Sequence, residues 1–283
     1  MSPAAEEPIQ IASGDGWLSA CYYRPAGPAA AACVICDPLF EERKSAQRPL
    51  VELARRLRDA GVGTVRFDYR GCGDSSGDLE AATAHDWLAD IAAAAGLARQ
   101  AFNAAPLTLV GVRLGATLLL KWAARHPEAA LAILWEPVVS PGEYLRHELR
   151  RKLMKEMLTF GGSRSSRDAL MEELERGGEV DFDGYGVTAA LYRSLLEIEL
   201  RPDDRPRLGD TLLIHLSPVE RVADSLSGLG RHLESAGNTV TLRALRHQPF
   251  WNQIGYTDCT ALLDETMAWV GTRIQVPPSP PAT

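Results

Sequence analysis

Hydrophobic positions along the chain follow two periods. Apolar runs of strand length (AAACVIC, VGTVRF, LTLVG, LAILW, TLLIHL, TVTLRAL) are separated by stretches in which apolar residues recur three or four apart, the spacing of a helix with one buried face. IQIAS and WLSACYYRP, on either side of Gly14 to Gly16, predict an opening antiparallel pair. Leu50, Leu53, Leu57 and Ala60 predict a helix with Pro49 near its first turn and Gly61 past its end, and DPLFEERKSA before it reads as a loop. Trp87, Ile91, Ala94, Ala98 and Ala101 predict a second helix. Strand, helix, strand, helix in this order predicts an α/β domain with a mostly parallel sheet covered by helices.

From Pro141 to Asp204 the pattern changes. Leu145, Leu149, Leu153 and Met157 fall four apart while Arg146, Arg150, Arg151, Lys152 and Lys155 take other faces, which predicts an amphipathic helix with a basic, solvated exterior. DALMEELERG and VTAALYRSLLEIEL predict two further helices, and RPDDRPRLGD reads as the linker back to the sheet. The organisation is therefore a core formed by residues 1–140 and 205–272, a helical cap formed by 141–204, and a proline-rich tail, 273–283, expected to be disordered.

Composition narrows the partners. A net charge of -7 excludes nucleic acid, since neutralising phosphates needs a basic surface. The first residues, MSPAAEEPIQIA, lack both the basic stretch and the apolar stretch of a signal peptide, and no apolar run reaches the ~18 residues of a membrane span, so a cytoplasmic location is expected. The five cysteines are odd in number and do not form the doubled pairs of a zinc site; they read as reduced thiols, and neither a metal nor a cofactor is expected.

Candidate chemistry centres on LTLVGVRLGATLLLKWA. A strand, then Gly111-x-x-x-Gly115, then a helix is the turn on which many hydrolases mount a serine nucleophile as G-x-S-x-G, but the central residue is Arg113. A guanidinium has no usable lone pair and stays protonated, so the standard Ser-His-Asp mechanism cannot run on it. Glu41, Glu42 and Glu136 stand at strand ends as possible counter-charges. Arg113 is then either a salt-bridge anchor in place of a serine or a bidentate holder of a substrate carboxylate, phosphate or developing oxyanion.

VRFDYRGCGDSSGD, GVRLGA and the late histidine of RHQPFWN together resemble the α/β-hydrolases over nearly the whole chain. DPLFEERKSAQR, YRGCGDSSGD, GVRLGA and LWEPVV, in this order, resemble more closely a hydrolase-like family encoded beside the bacterial exosortase A system, in which arginine at the elbow is usual. The resemblance implies an α/β-hydrolase fold with a helical cap and an oxyanion hole formed by backbone N–H groups of Leu114 and of Leu39 or Phe40. It also implies a catalytic place for His247, after the last strand. The acid that would orient His247 is open: Glu220 stands nearest the family position, Asp224 is a fallback, and Glu136 would serve if the acid has moved to the preceding strand.

Other polar residues read as structural. Asp68 and Asp74 suit turn and capping bonds, Cys72 a small buried thiol, Ser45 the start of a helix, and Trp122 and Trp135 core aromatics. Two functions follow. In one, Arg113 binds an anionic group on a small acyl ester, thioester or acylated sugar, His247 acts as general base, and Glu41 or Glu220 tunes it. In the other, the protein is a catalytically inactive relative of the hydrolases that serves as a ligand-binding or scaffold protein in an exopolysaccharide or exosortase-type pathway. The expected partner is a small molecule, and a homodimer stays open.

Overall fold

The computed structural model describes residues 5–103, 106–127, 129–162, 165–253 and 255–274. Strands β1 (Glu6–Ser13) and β2 (Gly16–Tyr23) open the chain. There follow β3 (Ala31–Cys36), α1 (Glu42–Asp59), β4 (Val62–Phe67), α2 (Ala84–Phe102), β5 (Leu107–Val112), α3 (Leu114–Ala123) and β6 (Ala129–Trp135). An inserted segment holds α4 (Pro141–Phe160), α5 (Arg167–Glu175), the strands β7 (Glu179–Asp181) and β8 (Gly186–Thr188), and α6 (Ala189–Glu197). The chain returns through β9 (Asp210–Ser217), α7 (Asp224–Ser235), β10 (Thr239–Arg246) and α8 (Thr260–Gly271).

The main sheet runs β1-β2-β4-β3-β5-β6-β9-β10, antiparallel at β1, β2 and β4 and parallel from β4 onward. This is the α/β-hydrolase order and direction. Its strands are apolar on both faces because both are covered. One face packs on α2, α3, α7 and the inserted segment through residues such as Val34, Trp87, Leu118 and Leu229. The other packs on α1 and α8 through Ile35, Leu53, Trp135 and Leu262. Cys33 and Cys36, spaced C-x-x-C, point to opposite faces of β3, so the spacing makes no redox or metal pair. All five thiols are free, and burial pushes that of Cys72 up to about 11.

Several local expectations are corrected. The helix read as starting near Pro49 begins at Glu42, so part of the expected loop is helical and Pro49 lies inside α1. Proline there removes one N–H from the ladder but is compatible with helical φ, and the Leu50, Leu53 and Leu57 stripe holds the turn to the sheet. Ser45 accordingly lies within the helix, donating to the Glu42 carbonyl at 2.9 Å, and does not start it. The inserted segment contains a hairpin, β7–β8, whose three-residue strands are too short to show a period in sequence; its turn runs through Asp183 and Gly184, both at positive φ. The basic side of α4 is not simply solvated, because Arg151 pairs with Glu148 (2.7 Å) and Asp183 (3.0 Å) and Lys152 with Glu156 (2.6 Å). At the far end, Arg273 pairs with Asp210 at 3.1 Å and covers Trp269; the remainder of the expected tail, 275–283, lies outside the described residues.

The end of β3 and the start of α3 touch at Gly115, where any Cβ would collide with the Asp37 carbonyl oxygen. The turn between β5 and α3 therefore depends on that glycine. Gly115→Val is expected to lower stability by about 1–3 kcal/mol, the usual range for overpacking, read as a shift in the urea midpoint against wild type.

Candidate active site

The parallel strands deliver their C-terminal ends to one edge of the sheet, where open α/β sheets bind ligands. Arg113 stands there between β5 and α3 with φ 54° and ψ -123°, a conformation that costs a non-glycine residue ~1–3 kcal/mol and persists only where neighbours fix it. They do so from both sides. The Arg113 N–H donates to the Trp135 carbonyl at 2.9 Å, and its carbonyl accepts from Ala116 at 3.1 Å and Val138 at 3.3 Å.

The side chain is held as firmly. Nε donates to Oε1 of Glu42 at 3.0 Å, and one terminal nitrogen, Nη1, donates to the Glu136 carbonyl at 3.1 Å. Tyr144 of α4 and Trp251 place their rings 5.8 Å from the guanidinium carbon. Glu42 is 1% exposed, against 22% for the arginine side chain. Nη2 of Arg113 has no acceptor among the described residues.

Burial raises the proton affinity of Glu42, and the charge of Glu148 adds to that; Arg113 and the Tyr144 hydroxyl oppose it without cancelling it. Burial also works against the charge on Arg113, but Glu42 and Glu136 outweigh it, so the guanidinium stays protonated. The surrounding residues form a buried polar layer. Trp251 donates its indole N–H to Oε2 of Glu136, His215 approaches Oε1 at 3.4 Å, and Asn252 donates to Glu148 at 3.3 Å.

The other expected site residues are distributed unevenly. Glu136 joins Arg113, through its backbone carbonyl and its charge. Leu39 and Phe40 are buried after β3, with Phe40 at φ 54°, stacked on Phe182 (6.0 Å) and edge-to-face with Tyr185 (5.8 Å) of the β7–β8 hairpin. Leu114 is the first residue of α3 and fully buried. Glu41 directs its carboxylate to Lys44 at 2.7 Å, so its neighbour Glu42 is the partner of Arg113. Glu220 lies exposed in the turn after β9, and its carboxylate has no partner among the described residues; Asp224 is likewise exposed. The structure does not join either to His247. The ring nitrogens of His247 face the carbonyls of Gln248 (2.6 Å) and Asp258 (2.7 Å), of which a neutral imidazole donates to one.

Trp251 meets the Glu136 carboxylate, whereas the His247 ring meets backbone carbonyls. The sequence reading missed Trp251, Tyr144, Glu148 and His215. Tyr144 and Glu148 each precede a leucine of the α4 stripe, and Trp251 follows His247 by four positions, but nothing in their spacing marks a polar site. Asp68 behaves as read, accepting from the Asp74 N–H at 3.2 Å and pairing with Arg43, and Trp122 and Trp135 are core residues.

A family model described as serine aminopeptidase, S33 matches residues 28–174, just over half of the 283-residue chain, and includes the turn between β5 and α3. The chain belongs to this family. Solved structures agree on the fold. A thermostable carboxyl esterase from Bacillus coagulans, in complex with glycerol, is 13% identical with a TM-score of 0.64, covering 96% of this chain and 100% of that one. Est1E from Butyrivibrio proteoclasticus, with ferulic acid bound, is 17% identical at 0.62, covering 93% and 96%. A putative hydrolase from Agrobacterium vitis S4 is 17% identical at 0.62, covering 96% and 100%. No curated protein sequence matches. Among the described residues no helix is long and apolar enough to cross a membrane, and no cluster of three or more His, Cys, Asp or Glu could hold a metal ion.

The raised proton affinity of Glu42 has a sign for stability. Folded Glu42 holds its proton more tightly than in the unfolded chain, so its contribution is full below the ordinary glutamate range and is lost as pH rises through its folded pKa. Glu42→Gln is expected to remove that decline, flattening the profile of urea midpoint against pH above about pH 4 relative to wild type. Parallel profiles for the two proteins would contradict it.

Proposed function

We propose that this esterase-like member of the family binds a small acyl ester, thioester or acylated sugar at the elbow and acts on it without a seryl intermediate. The observation that carries the reading is Nη2 of Arg113: a charged donor at the elbow apex, on a side chain 22% exposed, with its other contacts fixed by Glu42 and Glu136. A carboxylate or a carbonyl oxygen gaining charge finds there a preorganised cation flanked by aromatic rings, the environment in which such a donor counts most. Leu39, Phe40 and Leu114 would add backbone donors beside it.

Hydrolysis would then run by attack of water. His247 accepts the water proton as the oxygen bonds to the acyl carbon, and the leaving alcohol or thiol departs with that proton. For this the His247 ring must leave the carbonyls of Gln248 and Asp258, and Glu220, Glu41 or Glu136 would tune it only after such a movement. The alternative, binding without turnover, is not favoured by the match to a hydrolase family. The motif order further suggests a cytoplasmic bacterial protein of an exosortase A locus, in an exopolysaccharide or protein-sorting pathway.

A fluorophosphonate probe is expected to label no serine. With a substrate found among acyl thioesters, esters and acylated sugars, His247→Ala is expected to lose at least ~10²-fold in kcat, and Arg113→Lys to weaken binding of the product acid, measured by calorimetry. Stoichiometric serine labelling that disappears in His247→Ala would overturn the proposal. Binding of such ligands with no turnover would establish the second reading.

A further inference from the structure

Glu136 stands between Arg113 and His215 of β9. Its φ of 44° is unfavourable for a residue other than glycine and is kept by bonds on both sides: the Glu136 N–H donates to the Ile214 carbonyl at 2.8 Å, and its carbonyl accepts from Nη1 of Arg113 at 3.1 Å. The buried carboxylate accepts the indole N–H of Trp251 at Oε2 and lies 3.4 Å from Nε2 of His215 at Oε1. Its charge acts on the Arg113 guanidinium together with that of Glu42.

The surroundings of His215 fit either charge state of the ring. Nδ1 lies 3.0 Å from the Arg221 carbonyl, an acceptor, and 3.3 Å from the Ala223 N–H, a donor. A neutral ring with its proton on Nε2 donates to Glu136 and accepts from Ala223. A protonated ring still donates to Glu136 and gives its second N–H to the Arg221 carbonyl. Both partners stand in place, so the ring gains or loses a charge without turning, and an ordinary imidazole does so between about pH 5 and 8. Its side chain is 18% exposed, which leaves a path for the proton to water. Among the described residues Glu136 is the acid paired with the ring. Glu220, Arg221 and Asp224 of the turn into α7 and Arg246 at the end of β10 are exposed, where solvent and salt screen them.

We infer that His215 is a positioning residue of the elbow: when protonated it offsets the Glu136 charge beside Arg113 and so strengthens the hold of the guanidinium on a carboxylate or a developing oxyanion. This rests on the reading that Arg113 receives an anionic group. With the ring neutral, Arg113 faces the carboxylates of Glu42 and Glu136, and the three groups carry one net negative charge; with the ring protonated the four are balanced. An incoming anion is repelled by the first arrangement and not by the second. Glu42, whose proton affinity burial raises, acts in the same direction when it is protonated, so the two effects are separated by substitution.

The test measures binding of benzoate, with neutral benzamide beside it, by calorimetry on the full chain at pH 6 and pH 8, where benzoate stays ionised. Wild type is expected to bind benzoate about 10-fold more tightly at pH 6, the order of effect of one unit charge near a protein surface, and benzamide equally at both. His215→Gln is expected to bind benzoate equally at both, at the weaker level, and Glu136→Gln equally at both, at the tighter level. Glu42→Gln and His247→Gln are expected to keep the 10-fold difference. Without ligand, the ring-proton NMR signal of His215 is expected to pass between its two charge states over this range, with a lower midpoint in Glu136→Gln. The inference is overturned if wild type binds benzoate equally at both pH values, if the difference survives in His215→Gln, or if the ring keeps one charge throughout. Benzoate that does not bind, or that binds Arg113→Lys as well as wild type, overturns the proposed function and this inference with it. Binding that weakens in Arg113→Lys but does not change with pH overturns this inference alone.

Discussion

The ion pair between Arg113 and Glu42 is the contact on which the elbow depends. Glu42 is all but sealed from water, and a buried carboxylate without a cation carries a desolvation penalty of several kcal/mol. Arg113 in turn occupies a backbone conformation that its side chain does nothing to favour. Each residue thus makes the other tolerable. The pair also links α1 to the turn before α3, joining elements from opposite faces of the sheet directly above its C-terminal edge.

Around that pair the hydrolase framework is intact. Gly115 still permits the close approach to Asp37, and the strand order is the one that places an elbow at the centre of the sheet. At the turn between β5 and α3 stands a guanidinium. A serine there would need a base within reach, but the loop after β10 delivers Trp251 to Glu136 and turns His247 toward backbone carbonyls. Arg113 offers a fixed positive charge with one nitrogen, Nη2, that has no acceptor among the described residues.

Much of the fold was legible in sequence because its strands and helices are long and strongly periodic. The exceptions have local causes. Pro49 looked like a helix start because proline favours the first turn, yet tertiary packing of the leucine stripe carries α1 through it. The hairpin β7–β8 is too short for a period. At the site, Arg113 could be read from the glycines on either side of it, and Glu42 stood among its three candidate partners. Choosing Glu42 over Glu41 requires the helix phase, because adjacent residues on a helix differ by about 100° in direction and the early start of α1 turns Glu42 inward. Trp251 was not legible, since an indole used as a hydrogen-bond donor to a buried acid looks in sequence like any core aromatic.

The most direct test of this account is a double-mutant cycle in urea on Arg113→Met, Glu42→Leu and the two together. Removing either partner alone leaves the other charge buried, so each single variant is expected to lose about 3–5 kcal/mol, while the double variant, with no charge left unpaired, loses less than Arg113→Met alone. Losses that simply add would contradict the account, because Arg113 and Glu42 would then stabilise the elbow independently and the pair would not be what holds it.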